Sequence, residues 1–223
     1  MKIYYDGNSP DKYKDRVSGF TTNTSFASQS GYDNYEKYIK DYLKKTDGKP
    51  CSFQIWSDED SEIIRQSIYL SSISESIFVK IPIIKCDGKN NIETIKKILD
   101  IGLKVNITAI HTVDQINLVS DILPARNPVI ISVFAGGMTD AGQDPQPIVS
   151  HAVNNSKNAE VLWAGCQTNL HIIQAEKCGC HIITVPDAVI NKMNRMELDL
   201  ETTSLLKVKK FMEDASFIKI EIK

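Results

Sequence analysis

The sequence has no excess of positive charge. Its 26 lysines and arginines nearly cancel 28 acidic residues, leaving a formal net charge of −2, so the field that would hold a polyanion is missing and nucleic acid is not an expected partner. Arginine is scarce, being present only as Arg16, Arg65, Arg126 and Arg195. Long apolar runs are missing as well: the stretch from Ser76 to Ile84 is broken by Lys80 and falls far short of the roughly 20 residues that cross a bilayer. No membrane anchor is expected. The opening MKIYYDGNSP has no apolar segment of the secretory kind, which makes the cytoplasm the expected location. The five cysteines, Cys51, Cys86, Cys166, Cys178 and Cys180, are odd in number and irregularly spaced, which argues against a disulfide framework and for reduced thiols. Cys178, Cys180 and His181 have no second pair at ligand spacing, so no metal is expected. Low-complexity tracts and internal repeats are absent too.

What the chain does have is a globular balance, 42% apolar and 24% charged over 223 residues. That length and composition fit one packed domain spanning 1–223, with a C-terminal helix and tail over about 201–223. Short apolar or β-branched runs recur from Ile3 to Asp6, Arg16 to Phe20, Ser52 to Trp56, Ser76 to Pro82 and Lys104 to Thr108. Three more follow from Val129 to Phe134, Glu160 to Ala164 and His181 to Val185. Helical patterns such as Tyr35, Tyr38, Ile39, Tyr42 and Ile63, Ile64, Ser67, Ile68 fill most of the gaps. Strand alternating with helix implies a parallel sheet. Eight strands so closely spaced predict an α/β fold with a closed (β/α)₈ TIM barrel, although the first link, Gly7 to Asp15, is too short for a crossover helix. No strand is followed by GxGxxG, which disfavours a nicotinamide cofactor. The glycine-rich stretch after the sixth strand reads as a mobile rim loop.

In such a barrel alternate side chains point inward, and those near the C-terminal strand ends line the catalytic mouth. Alternation places Tyr4 and Asp6 on one face, then Ser52, Gln54 and Trp56; Phe78, Lys80 and Pro82; Asn106 and Thr108; and Ile130, Ser132 and Phe134. Lys80 is the sharpest candidate. A lysine inside an apolar strand loses hydration of its ammonium, which favours the neutral amine able to attack a carbonyl. A structural lysine paired with Asp6 is the competing reading.

These residues resemble the transaldolase and fructose-6-phosphate aldolase group of class I aldolases. GFTTNTS (Gly19 to Ser25) is similar to that family's GVTTNPS, VKIP (Val79 to Pro82) to its lysine strand, and VNIT (Val105 to Thr108) to its NVT segment. ISVFAGG (Ile131 to Gly137), WAGCQTN (Trp163 to Asn169) and GCHIITVP (Gly179 to Pro186) continue the match in order. The resemblance implies that Lys80 forms an imine with a ketose, with no metal or organic cofactor. Asp6 would be acid/base in carbon–carbon cleavage, and Thr108 would hold a proton-relaying water. Thr21, Asn23, Gln54, Asn106, Ser132 and Phe134 would line the substrate. It also implies a place in carbohydrate metabolism and a homo-oligomer, the C-terminal helix docking on a neighbouring subunit.

Two departures qualify the resemblance. The family carries either glutamate at the position of Gln54 or tyrosine at that of Phe134 as proton donor; this chain has neither, which shifts acid/base work to Asp6 or to His111, a further candidate just past the fifth strand. The family's phosphate-binding arginine, serine and arginine correspond to Gly137, Gly165 and Gln167. No other arginine is placed to substitute, and Lys85 is the one cation near the mouth. The expected function is therefore a transaldolase-like aldolase that transfers or releases a dihydroxyacetone unit from a ketose or related polyol held without the usual phosphate clamp. The rival is a non-catalytic sugar-binding or assembly protein on the same scaffold.

Overall fold

The apolar runs become eight parallel strands because alternation gives each strand two buried faces, one toward the barrel axis and one toward covering helices. In a computed structural model of the protein, which describes residues 1–218, β1 (Lys2–Asp6), β2 (Gly19–Thr21), β3 (Cys51–Gln54), β4 (Ile77–Pro82), β5 (Val105–Ile110), β6 (Val129–Val133), β7 (Glu160–Trp163) and β8 (Ile182–Val185) close into one barrel in chain order. Around it run α1 (Thr24–Gln29), α2 (Tyr35–Leu43), α3 (Asp60–Ile73), α4 (Ile92–Asp100), α5 (Val113–Ser120), α6 (Ala135–Asp140), α7 (Gln146–Asn155), α8 (Asn169–Lys177) and α9 (Asp187–Ile190), followed by α10 (Leu200–Ala215). The short link between β1 and β2 holds a single 3-10 turn, Pro10–Lys12.

Two apolar clusters follow from the alternation. Ile77, Val79 and Ile81 point outward into the continuous outer core that also holds Ile63, Ile95 and Ile98, each buried aliphatic side chain contributing about 1.5–3 kcal/mol of transfer free energy. Phe78 points inward and joins Tyr4, Ile130, Leu162, Ala164 and Ile182 in a separate cluster inside the barrel. The Tyr4 ring lies across Gly19, where an added Cβ would come within 2.5 Å of it; glycine at that point admits the ring to the barrel floor. Burial pushes the Tyr4 phenol up to about 12, so it stays neutral there.

Several elements differ from the sequence expectation. β2 is Gly19–Thr21 rather than Arg16 to Phe20: Val17 is buried in the outer core as part of a loop, its carbonyl accepting from Lys49 Nζ at 2.9 Å. α3 buries Ile63, Ser67 and Leu70 and leaves Ile68 exposed. The glycine-rich stretch after β6 is not a loop but α6. There Gly136 lies so close to Gly165 that a Cβ would sit 2.1 Å from the Gly165 carbonyl oxygen, and its amide donates to the Ala164 carbonyl at 3.0 Å. The alternating tail Phe217–Lys223 is described only as far as Ile218; Lys219–Lys223 lie outside the described residues. Among the described residues no helix is long and apolar enough to cross a membrane.

Candidate active site

On β1, β4, β6 and β8 the residue two positions past the inner apolar cluster is polar: Asp6, Lys80, Ser132 and Thr184. Lys80, two residues past Phe78 on β4, is only 6% exposed. It is paired in register with Gln54 on β3 and Asn106 on β5. Its Nζ donates to the Thr22 carbonyl at 3.4 Å and forms no ion pair among the described residues. Burial lowers its pKa below the ordinary lysine value, and the charge of Asp6 works in the opposite direction.

Asp6, two residues past Tyr4, closes β1. Its Oδ1 accepts from Thr21 Oγ1 at 2.7 Å. Burial raises its pKa above the ordinary carboxylate value, against the lowering influence of Lys80 and the Thr21 hydrogen bond. Lys80 and Asp6 therefore sit in one field, each displaced by burial toward its neutral form and each held back by the other.

A second group is built across β3, β5 and β6. Ser132 Oγ donates to Asn106 Oδ1 at 2.7 Å, and Asn106 Nδ2 donates to Ser52 Oγ at 2.9 Å. All three are buried, and the chain fixes the amide orientation of Asn106. Thr108 is 2% exposed and its Oγ1 has no partner, leaving an orphaned hydroxyl on the same β5 face as Asn106. Beside it β5 slips register between Ile107 and Ile110, with Ala109 at φ 62°, a bulge of the kind that re-aims side chains at barrel rims.

The other candidates fall into place around this core. Asn23 caps α1, its Oδ1 accepting from the Phe26 amide at 2.9 Å, so half of that side chain serves the local turn as Asn does in many helix starts. Thr21 is committed to Asp6. Gln54 and Phe134 are half-buried, and Phe134 packs on the inner apolar cluster. A cleft of about 560 Å³ lies at the strand ends, its walls including Gln54, Trp56, Pro82, Lys85 and Ala109. Lys85 is ion-paired to Asp60 at 2.6 Å and is not the free cation that the sequence left open. Gln167 donates to Asp140 Oδ1 at 2.8 Å, so a carboxylate stands where an anion clamp was sought.

Sequence reasoning put Ser52 on the inward face without giving it a task, and it passed over Thr22 and Tyr38. Tyr38 Oη lies 2.6 Å from Thr22 Oγ1 and donates to Asn8 Oδ1 at 2.8 Å. This buried chain steadies the residue whose carbonyl meets Lys80. Its sequence trace was only the period of α2, in which Tyr38 looks like ordinary core. Among the described residues no cluster of three or more His, Cys, Asp or Glu side chains is placed to hold a metal. Cys166 and Cys180 are buried, their thiols pushed up to about 11 and about 12.

A parallel eight-stranded barrel with a buried amine, a carboxylate and a chain of hydrogen-bonded polar side chains near its C-terminal strand ends has the layout of a barrel enzyme for small polar molecules. The chain belongs to the transaldolase/fructose-6-phosphate aldolase family, whose description matches residues 5–223, and that membership supports an aldolase-type activity. It is 30% identical over 203 residues to a probable transaldolase of Thermoanaerobacter sp. (strain X514), covering 86% of this chain and 89% of the relative. With a probable transaldolase of Streptococcus equi subsp. zooepidemicus (strain MGCS10565) it shares 31% over 208 residues, 91% and 90% of the two chains. Among solved structures, the tryptophan synthase A-subunit of Pyrococcus furiosus matches with a TM-score of 0.55 at 13% identity, over 86% of this chain and 89% of that one, a likeness of fold alone.

Proposed function

We propose that the protein is a class I aldolase of the transaldolase type, acting on a ketose through a covalent imine at Lys80 and needing no metal or organic cofactor. The carrying observation is an almost fully buried lysine without an ion-pair partner among the described residues, surrounded by hydroxyl and amide groups. Neutral Lys80 attacks the substrate carbonyl carbon, and loss of water leaves an iminium. Asp6, its proton affinity raised by burial, takes the proton from the hydroxyl at the carbon beyond the bond to be broken. That bond's electron pair moves into the iminium as an enamine, and an aldehyde departs. The enamine then either attacks an acceptor aldehyde, which is transfer, or is protonated and hydrolysed to release dihydroxyacetone. Asn106, Ser132 and the free half of Asn23 bind donor hydroxyls, and Thr108 holds the water that relays protons.

The substrate on this reading is unphosphorylated. Gly137, Gly165 and Gln167 supply no cation at the mouth, Lys85 is spent on Asp60, and Asp140 adds a negative charge beside Gln167. The apolar side chains Leu205, Leu206, Val208, Phe211 and Met212 of α10 are about half or more exposed; a second copy of this chain covers them in a homo-oligomer. Five unpaired thiols suit the reducing cytoplasm.

Borohydride trapping tests the reading. Incubation with free and phosphorylated ketoses is expected to add mass at Lys80, mapped by peptide mass spectrometry and absent from Lys80→Ala, with free ketoses cleaved faster than fructose 6-phosphate. No adduct across the panel would leave the non-catalytic sugar-binding scaffold as the answer.

A further inference from the structure

His111 lies at the rim, three residues past Thr108, and is exposed, yet it is held on several sides. Its amide donates to Gln115 Oε1 at 2.8 Å, and Gln115 is itself half of the capping box that starts α5. Its Nδ1 is 3.0 Å from the Ala109 carbonyl at the β5 bulge. A carbonyl can only accept, so Nδ1 carries the hydrogen and, in the neutral ring, Nε2 presents a lone pair. The ring centroid is 5.5 Å from that of Phe134, whose ring packs on the cluster inside the barrel. Nε2 points over Gly137, where an added Cβ would come within 2.9 Å of it. The imidazole nitrogen thus stands where any other residue at 137 would begin its side chain, and the glycine keeps that place open.

We propose that His111 Nε2 is the acceptor that reads the distal hydroxyl of the bound ketose and thereby sets preference for a free sugar end. The inference rests on the imine reading of Lys80. With the carbonyl carbon bound to a deeply buried amine, the rest of an open-chain ketose can extend only toward the mouth, where its last hydroxyl meets a pre-aimed acceptor. Side chains pinned before binding lose little freedom when they engage a ligand, which is why this exposed histidine discriminates where an unrestrained one would not.

The test is steady-state kinetics of the full chain with D-fructose and 6-deoxy-D-fructose, which differ in the hydroxyl that His111 would meet. His111→Ala is expected to raise KM for D-fructose about five- to tenfold, the worth of one neutral hydrogen bond, with kcat within about twofold and KM for the deoxy sugar unchanged. Gly137→Ala is the second variant. It lies in α6 without a positive φ and alanine favours helix, so its melting temperature should hold or rise while its new methyl displaces Nε2 and reproduces the KM effect. Equal losses on both sugars, an unchanged KM in both variants, or a fall in kcat at constant KM would each overturn the proposal while leaving the imine mechanism standing. Absence of both cleavage and borohydride trapping in the wild type would overturn the two together.

Discussion

Lys80 and Asp6 share the interior of one barrel and shift each other's ionisation without forming an ion pair. Burial drives the lysine toward its neutral amine and the aspartate toward its neutral acid, and the charge of each opposes the displacement of the other. A closed ion pair would have fixed both charges and left no nucleophile. On the proposed imine mechanism, their separation leaves the Lys80 amine free to act as the nucleophile.

Asp6→Asn should split the mechanism. The Asp6 charge raises the Lys80 pKa, so removing it lowers that value further and lets the neutral amine persist to lower pH. The acid limb of borohydride trapping is therefore expected to move to lower pH, whereas carbon–carbon cleavage falls at least about a hundredfold for want of its base. A trapping profile shifted to higher pH would contradict this electrostatic assignment.

Thr108→Val removes a buried hydroxyl that has no protein partner and keeps the side chain's shape. An unpartnered buried polar group costs about 1–3 kcal/mol, so stability in urea is expected to stay level or rise by up to about that amount while turnover drops. A loss of stability would mean that the hydroxyl is held by the fold and is not reserved for the reaction.

Tyr38→Phe cuts the chain from Asn8 through Tyr38 to Thr22 and leaves the buried Thr22 hydroxyl without its acceptor and the half-buried Asn8 Oδ1 without its donor. The expected cost is about 1–3 kcal/mol in chemical denaturation. Because the Thr22 carbonyl receives the Lys80 amine, kcat should fall with KM nearly constant. A change confined to KM would place Tyr38 on the substrate instead.

Phe211→Glu on α10 puts a charge into the exposed apolar face that we assign to a subunit contact. Light scattering is expected to give an oligomer for the wild type and smaller species for the variant, with the barrel's far-ultraviolet dichroism unchanged. A monomeric wild type would remove that assignment.

Much of the barrel was legible because alternation is local. Phe78, Lys80 and Pro82 had to share a face whatever the rest of the chain did, and the same parity put Asn106 with Thr108 and Tyr4 with Asp6. β2 escaped because three residues are too few to display a period, and the apolar Val17 beside it belongs to a loop. α6 escaped because glycines weaken helix propensity. The close approach of Gly136 to Gly165, two residues far apart in sequence, outweighs that preference.

The sequence by itself determined which side chains face the axis and that a lysine would be among them, since a strand's two faces follow from covalent geometry. It also showed that glycines and a glutamine stand at Gly137, Gly165 and Gln167, the positions that match the phosphate-binding residues of the family it resembles. Only ring closure decided that Ser132, Asn106 and Ser52 form one chain of hydrogen bonds across three strands. Docking of α2 made Tyr38 a support for the Thr22 loop, and the bulge at Ala109 aimed His111 over Gly137. Proton affinity was settled at the same level: desolvation depends on everything that surrounds a group, so the displaced equilibria of Lys80 and Asp6 belong to the closed barrel and to neither residue's local sequence.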